Sequence, residues 1–181
     1  MDLFMEGTKW PEALQPLIDK YKGERHPLHY ENIYQLLVMV VLSAQDSDAH
    51  INKIAWLQDI ADTIKEDKNI PVTMKELVAL KGVGRKSANV IMREAGKKAE
   101  GILVDLHVVR VAPRLGIAKG KDATKIEKEM MAVLPQDMWG EIGMAISFLG
   151  RDTCRPSNPK HSECIMKNHC EFYKEHTKTG N

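Results

Sequence analysis

Within "LKGVGRKSANVI", Gly82 and Gly84 stand one residue apart between two stretches of helical pattern. "TMKELVAL" opens with a Thr73…Glu76 capping box, in which each side chain satisfies an amide of the other, and runs as a short helix to Leu80. "RKSANVIMREAG" resumes a helix and closes at Gly96. Glycine reaches backbone angles that other residues avoid, so a Gly-Val-Gly link folds the second helix back on the first. The amides of such a turn and of the helix start that follows face outward together, which suits a phosphate oxygen or a cation bridging to one. A lone G-x-G turn is weak evidence, but here Arg85 and Lys86 follow at once.

The remaining pattern is helical as well. Residues 32–44 are nearly all apolar and long enough for a buried helix. Ile51, Ile54, Leu57, Ile60/Ala61 and Ile64 recur at helical spacing, and Pro71 stops the chain beyond them. "GILVDLHVVRVAPRLG" has a strand-like content of valine, yet Asp105 as N-cap and Gly116 as terminator favour a helix with Val108, Val109, Ala112 and Leu115 inward. Asp122 and a Thr124…Glu127 box start another, burying Ile126, Met130, Val133 and Leu134, and Ile142, Ala145, Ile146 and Leu149 stripe the last long helix. No alternating strand pattern occurs, so the expected class is all-α.

Net charge is only +1, but residues 81–121 carry ten Lys/Arg against three acids, a local +7, so the rest of the chain must carry −6. A basic middle in an acidic frame fits either a solvated helical surface or one that faces phosphate. The longest apolar run, residues 36–42, is too short to span a bilayer, and the start lacks the layout of a signal peptide. The expectation is a cytoplasmic protein, nucleoid-associated in a prokaryote, without membrane contact and monomeric.

All three cysteines fall in "CRPSNPKHSECIMKNHC". An odd number in a chain with no export signal argues against disulfides. With His161, the residues Cys154, Cys164 and Cys170 form C-x6-H-x2-C-x5-C, metal-ligand types in an order that matches no common zinc finger.

"LKGVGRKSAN", "VDLHVVRVAPRLG", "FLGRDTC" and the cysteine-rich tail, in this order, resemble the helix-hairpin-helix (HhH-GPD) DNA glycosylases, endonuclease III branch; "LLVMVVLSAQDSD" resembles that family's early buried helix and following loop. The resemblance covers roughly residues 30–172. It implies a two-lobed helical bundle with a C-terminal metal-cluster loop: one unit over 1–181, comprising a lobe of 30–134 with the hairpin at 77–95, and a second of 1–29 plus 135–181 with the loop at 154–170. It further implies a base-excision repair glycosylase and abasic-site lyase acting on duplex DNA that contains damaged bases, oxidised pyrimidines by branch, or abasic sites.

Carried over residue by residue, the family's covalent lysine falls on Lys86 and its assisting aspartate on Asp105. Chemistry supports both assignments. A lysine among positive charges at a helix start is activated by placement rather than by a partner base, and a carboxylate stabilises an oxocarbenium-like sugar as the glycosidic bond breaks. Asp105 also serves as a plain N-cap on the blander reading. Gln45 matches the glutamine that fills the gap left by a flipped base, with helix capping as its alternative. Gly82, Val83, Gly84 and Arg85 would hold phosphate, as would Arg155 and Lys160 from the cysteine loop; His107 reads as structural or phosphate-side.

Two departures stand out. The chain lacks about a helical hairpin after residue 53, which leaves base specificity open. The family's [4Fe-4S] cluster uses four cysteines at this spacing, whereas His161 holds the second position here. Cys3His ligation of iron-sulfur, a zinc site, and a metal-free loop all remain open. A glycosylase without lyase activity, using water activated by Asp105 on uracil or thymine mispairs, and a DNA-binding module without catalysis are the alternative functions.

Overall fold

The computed structural model describes residues 8–43 and 49–178. Every regular element among them is helical: α1 (Trp10–Lys20), α2 (Ile33–Ser43), α3 (Ala49–Ile64), α4 (Met74–Ala79), α5 (Arg85–Glu94), α6 (Leu106–Leu115), α7 (Ala123–Val133), α8 (Trp139–Asp152) and α9 (Glu171–Lys178), with short 3₁₀ turns at Asp67–Asn69, Gln136–Met138 and His161–Glu163. None of the described helices is long and apolar enough to cross a membrane.

The chain forms two compact units, residues 25–100 and residues 1–24 with 101–181. The division expected from sequence ran to 134, whereas α6 and α7 group with the C-terminal helices because α6 packs along α8.

In the unit 25–100, α2 buries Leu36, Leu37, Val40 and Val41 and packs on α3 and α5. Helix α3 departs from its expected apolar face. Ile54 is 67% exposed, while Lys53 is 7% exposed and its Nζ donates to the Leu42 carbonyl at 3.0 Å. Lys53 thus satisfies a carbonyl at the end of α2, and the inward stripe holds at Ile60 and Ile64, while Leu57 is half-buried. The Thr73 cap forms as expected, its Oγ1 accepting from the Glu76 amide. The helix-free segment that opens the unit is tied to the end of α5: the His26 amide and the Tyr30 hydroxyl both donate to Glu94.

Gly82 has φ +81°, and a Cβ there would lie 2.7 Å from Cε3 of Trp56. Strain and overlap together make Gly82→Ala destabilising by about 1–3 kcal/mol. A urea-denaturation midpoint unchanged from the parent protein would contradict this account of the turn.

In the other unit, α1 buries Trp10, Ala13, Leu14, Leu17 and Ile18 and packs on α8, and Tyr21 stacks on Phe148 with ring centroids 5.4 Å apart. This helix is absent from the sequence expectations: its stripe is plain, but Pro11 and Pro16 obscure it. Pro11 sits in the first turn, where a missing amide costs nothing. Helix α6 buries Val108, Val111, Ala112 and Leu115, so Val111 takes the place expected of Val109. Asp122 caps α7 by accepting from the Lys125 amide, and Val133 is only half-buried.

Candidate active site and cysteine loop

The hairpin is α4, the turn at residues 80–84, and α5. The Val83 amide donates to the Leu80 carbonyl, and the Val83 side chain is buried, leaving only its backbone for a ligand. Gly84 is the N-cap of α5 and supplies no side-chain cap, in contrast to Thr73, Asp105 and Asp122 at α4, α6 and α7. The first turn of α5 thus receives no side-chain cap from Gly84 at the positive end of the helix. Arg85 and Lys86 occupy the first two helical positions and both are exposed.

Asp105 lies in the other unit. It caps α6 with Oδ1, which accepts the His107 and Val108 amides at 2.9 Å each, while Oδ2 accepts the hydroxyl of Ser147 at 2.7 Å. Capping and an accessible carboxylate therefore coexist, since Asp105 is half-buried rather than enclosed. Ser147 escaped the sequence reading, although Gly143, Ser147 and Gly150 fall at helical spacing within the last long helix.

The basic segment divides its charge between structure and surface. Arg110 donates to the carbonyls of Gly150 (2.9 Å) and Cys154 (3.3 Å) and lies 3.3 Å from His107 Nδ1. Arg114 donates to Cys154 Sγ at 3.4 Å and to the Arg155 carbonyl at 3.0 Å. Both arginines of α6 thus hold the start of the cysteine loop. Arg93 pairs with Glu94, and Lys81 with Asp59 at 2.8 Å. The expected wholly basic surface is therefore smaller than its charge count.

Cys154, His161, Cys164 and Cys170 line one pocket with Leu115, Leu149, Thr153 and Tyr173. Cys154 and Cys170 are buried. Burial pushes the Cys164 and Cys170 thiols up, and the neighbouring cysteines add to it. His161 is held down by burial first and then by Arg114 and His176, so its imidazole keeps a lone pair for a ligand. Its ring lies tilted over Phe172 at 5.3 Å, and Arg114 covers the same phenyl ring at 4.9 Å. Among the described residues, no three His, Cys, Asp or Glu side chains form a group that could hold a metal ion.

Arg155 and Lys160 are exposed on this loop, with Lys160 Nζ 3.8 Å from Glu163. Gln45 lies outside the described residues.

Residues 65–94 match the helix-hairpin-helix motif family. The chain is 41% identical over 150 residues to endonuclease III of Thermotoga maritima, covering 82% of this chain and 67% of that protein. It is 30% identical to endonuclease III of Synechocystis sp. over 197 residues, covering 88% of this chain and 90% of the relative. An alignment longer than this 181-residue chain requires residues in the relative that have no counterpart here. The structure superposes with a TM-score of 0.76 on a trapped endonuclease III–DNA covalent intermediate, an estranged-adenine complex, at 26% identity, covering 94% of this chain and 99% of that one.

Proposed function

The chain belongs to the endonuclease III family and is a base-excision repair glycosylase and abasic-site lyase, and from that premise we propose that Lys86 is its nucleophile, Asp105 its assisting carboxylate and oxidised pyrimidines its substrates. The observation that carries the reading is an exposed lysine one residue into a helix whose N-cap is a glycine, directly after the Gly-Val-Gly turn.

The target sugar is hidden in stacked duplex, so the damaged nucleotide is extruded at a cost of a few kcal/mol. Backbone amides of the turn and of the start of α5, apart from that of Val83, would hold phosphate. The neutral amine of Lys86 attacks C1′ and expels the base, while Asp105 stabilises the positive charge that develops on the sugar. The ring opens to a Schiff base between Lys86 and C1′. Loss of a C2′ proton then breaks the 3′ C–O bond by β-elimination, and hydrolysis frees the lysine. Gln45 would occupy the gap in the duplex, and Arg155 and Lys160 would contact backbone phosphate.

A panel of duplexes tests substrate class. Release of oxidised pyrimidines with strand cleavage in the same reaction supports the proposal. Release of uracil or thymine from mispairs without cleavage would favour the water-activating alternative.

The family usually carries a [4Fe-4S] cluster. Three thiols and an imidazole lining one pocket are the donor types a cluster takes, although they form no single-ion site in this structure, and Cys154, His161, Cys164 and Cys170 are the residues that would hold it. A bound cluster would cross-link the loop that presents Arg155 and Lys160. Protein purified without oxygen should contain about four iron and four sulfide per chain. One zinc per chain, or iron only after His161→Cys, would contradict Cys3His ligation of a cluster.

A further inference from the structure

We infer that Ser147 is a positioning residue that fixes the orientation of the Asp105 carboxylate for the glycosylase step. The inference rests on the role proposed for Asp105.

Ser147 is 1% exposed, in the middle of α8. A buried helical serine ordinarily returns its hydroxyl to the carbonyl one turn back. Here the hydroxyl donates instead to Oδ2 of Asp105 at 2.7 Å. The two amide bonds of the cap converge on Oδ1 alone, so they anchor one oxygen and leave the carboxylate plane free to pivot about it. The serine bond to the second oxygen removes that freedom. Three donors then hold the carboxylate in one plane, with its remaining lone pairs left for the sugar. Preorganisation of this kind is what makes a charged group effective against charge that develops only in the transition state.

The helix is built to deliver this contact. A Cβ at Gly143 would meet the Leu103 carbonyl oxygen at 2.3 Å, and one at Gly150 would meet His107 Cβ at 2.9 Å. Leu103 precedes Asp105 by two residues and His107 follows it by two. Helix α8 therefore lies against both flanks of Asp105 through positions with no side chain, and Ser147 between them meets Asp105 itself. Any larger residue at either glycine would lift α8 and lengthen the hydroxyl contact.

The test is a cycle of Ser147→Ala, Asp105→Asn and the double variant, read as the single-turnover rate of base release from the lesion duplex cleaved fastest by the parent, with affinity for the same duplex measured alongside. Ser147→Ala is expected to slow release about tenfold at unchanged affinity. Added to Asp105→Asn, it should slow release less than twofold further, because the serine acts only through the carboxylate. A helix-packing role would produce the same loss in both backgrounds, and that outcome, or a parental rate in Ser147→Ala, overturns the inference. A parental rate in Asp105→Asn overturns the role of Asp105 and this inference with it.

Discussion

Lys86→Ala protein is expected to bind abasic-site duplex with nearly the parental affinity and yet to lose strand cleavage by at least about 10³-fold, the scale seen when a covalent nucleophile is removed. Lys86 is exposed at the second position of α5 and packs into no core, so its removal leaves the hairpin and its backbone amides as they are. One lost charge among the cations of residues 81–121 weakens binding only modestly. The separation of affinity from chemistry is the informative result. A parallel loss of both would make Lys86 a phosphate contact, and retained cleavage would place the amine elsewhere.

The second large effect belongs to Asp105→Asn. Asparagine caps a helix about as well as aspartate, so the Oδ1 bonds to the His107 and Val108 amides can persist. What disappears is the negative charge. Base release should fall about 10²–10³-fold, the typical cost of removing a preorganised electrostatic partner, while the denaturation midpoint moves little. Asp105→Ala should show the same loss of rate together with about 0.5–2 kcal/mol of lost stability from the missing cap. An Asn variant that keeps its rate would make Asp105 a cap and nothing more.

The features most legible in the sequence were those written in local chemistry. Gly82 with its positive φ, the Thr73 cap, Asp105 as N-cap and Gly116 as terminator each stand where the pattern put them, whereas Gly84 takes an extended backbone that any residue adopts. Features set by packing were less legible. Periodicity placed Val109 inward on α6, whereas the approach of α8 selects Val111, and on α3 Lys53 lies buried against the Leu42 carbonyl while Ile54 is exposed. Charge counting treated residues 81–121 as one surface, although Arg93, Arg110 and Arg114 are spent on internal bonds. Ser147 illustrates the same limit. Nothing in its local sequence marks a serine on an apolar helix as the partner of an aspartate 42 residues away, and only the small residues at 143 and 150 hint at the close approach that joins them.

In the cysteine loop, the spacing of Cys154, His161, Cys164 and Cys170 identified side chains that do line one pocket. The two arginines that hold the loop to α6 could not be read from that spacing, since each reaches it across more than 35 residues.

The central claim is a covalent lysine at position 86. Borohydride reduction during reaction with abasic-site duplex, followed by peptide mapping, tests it directly. One adduct per chain is expected, attached at Lys86 and absent from Lys86→Ala. Failure to trap any adduct, or an adduct that persists in Lys86→Ala, would contradict it.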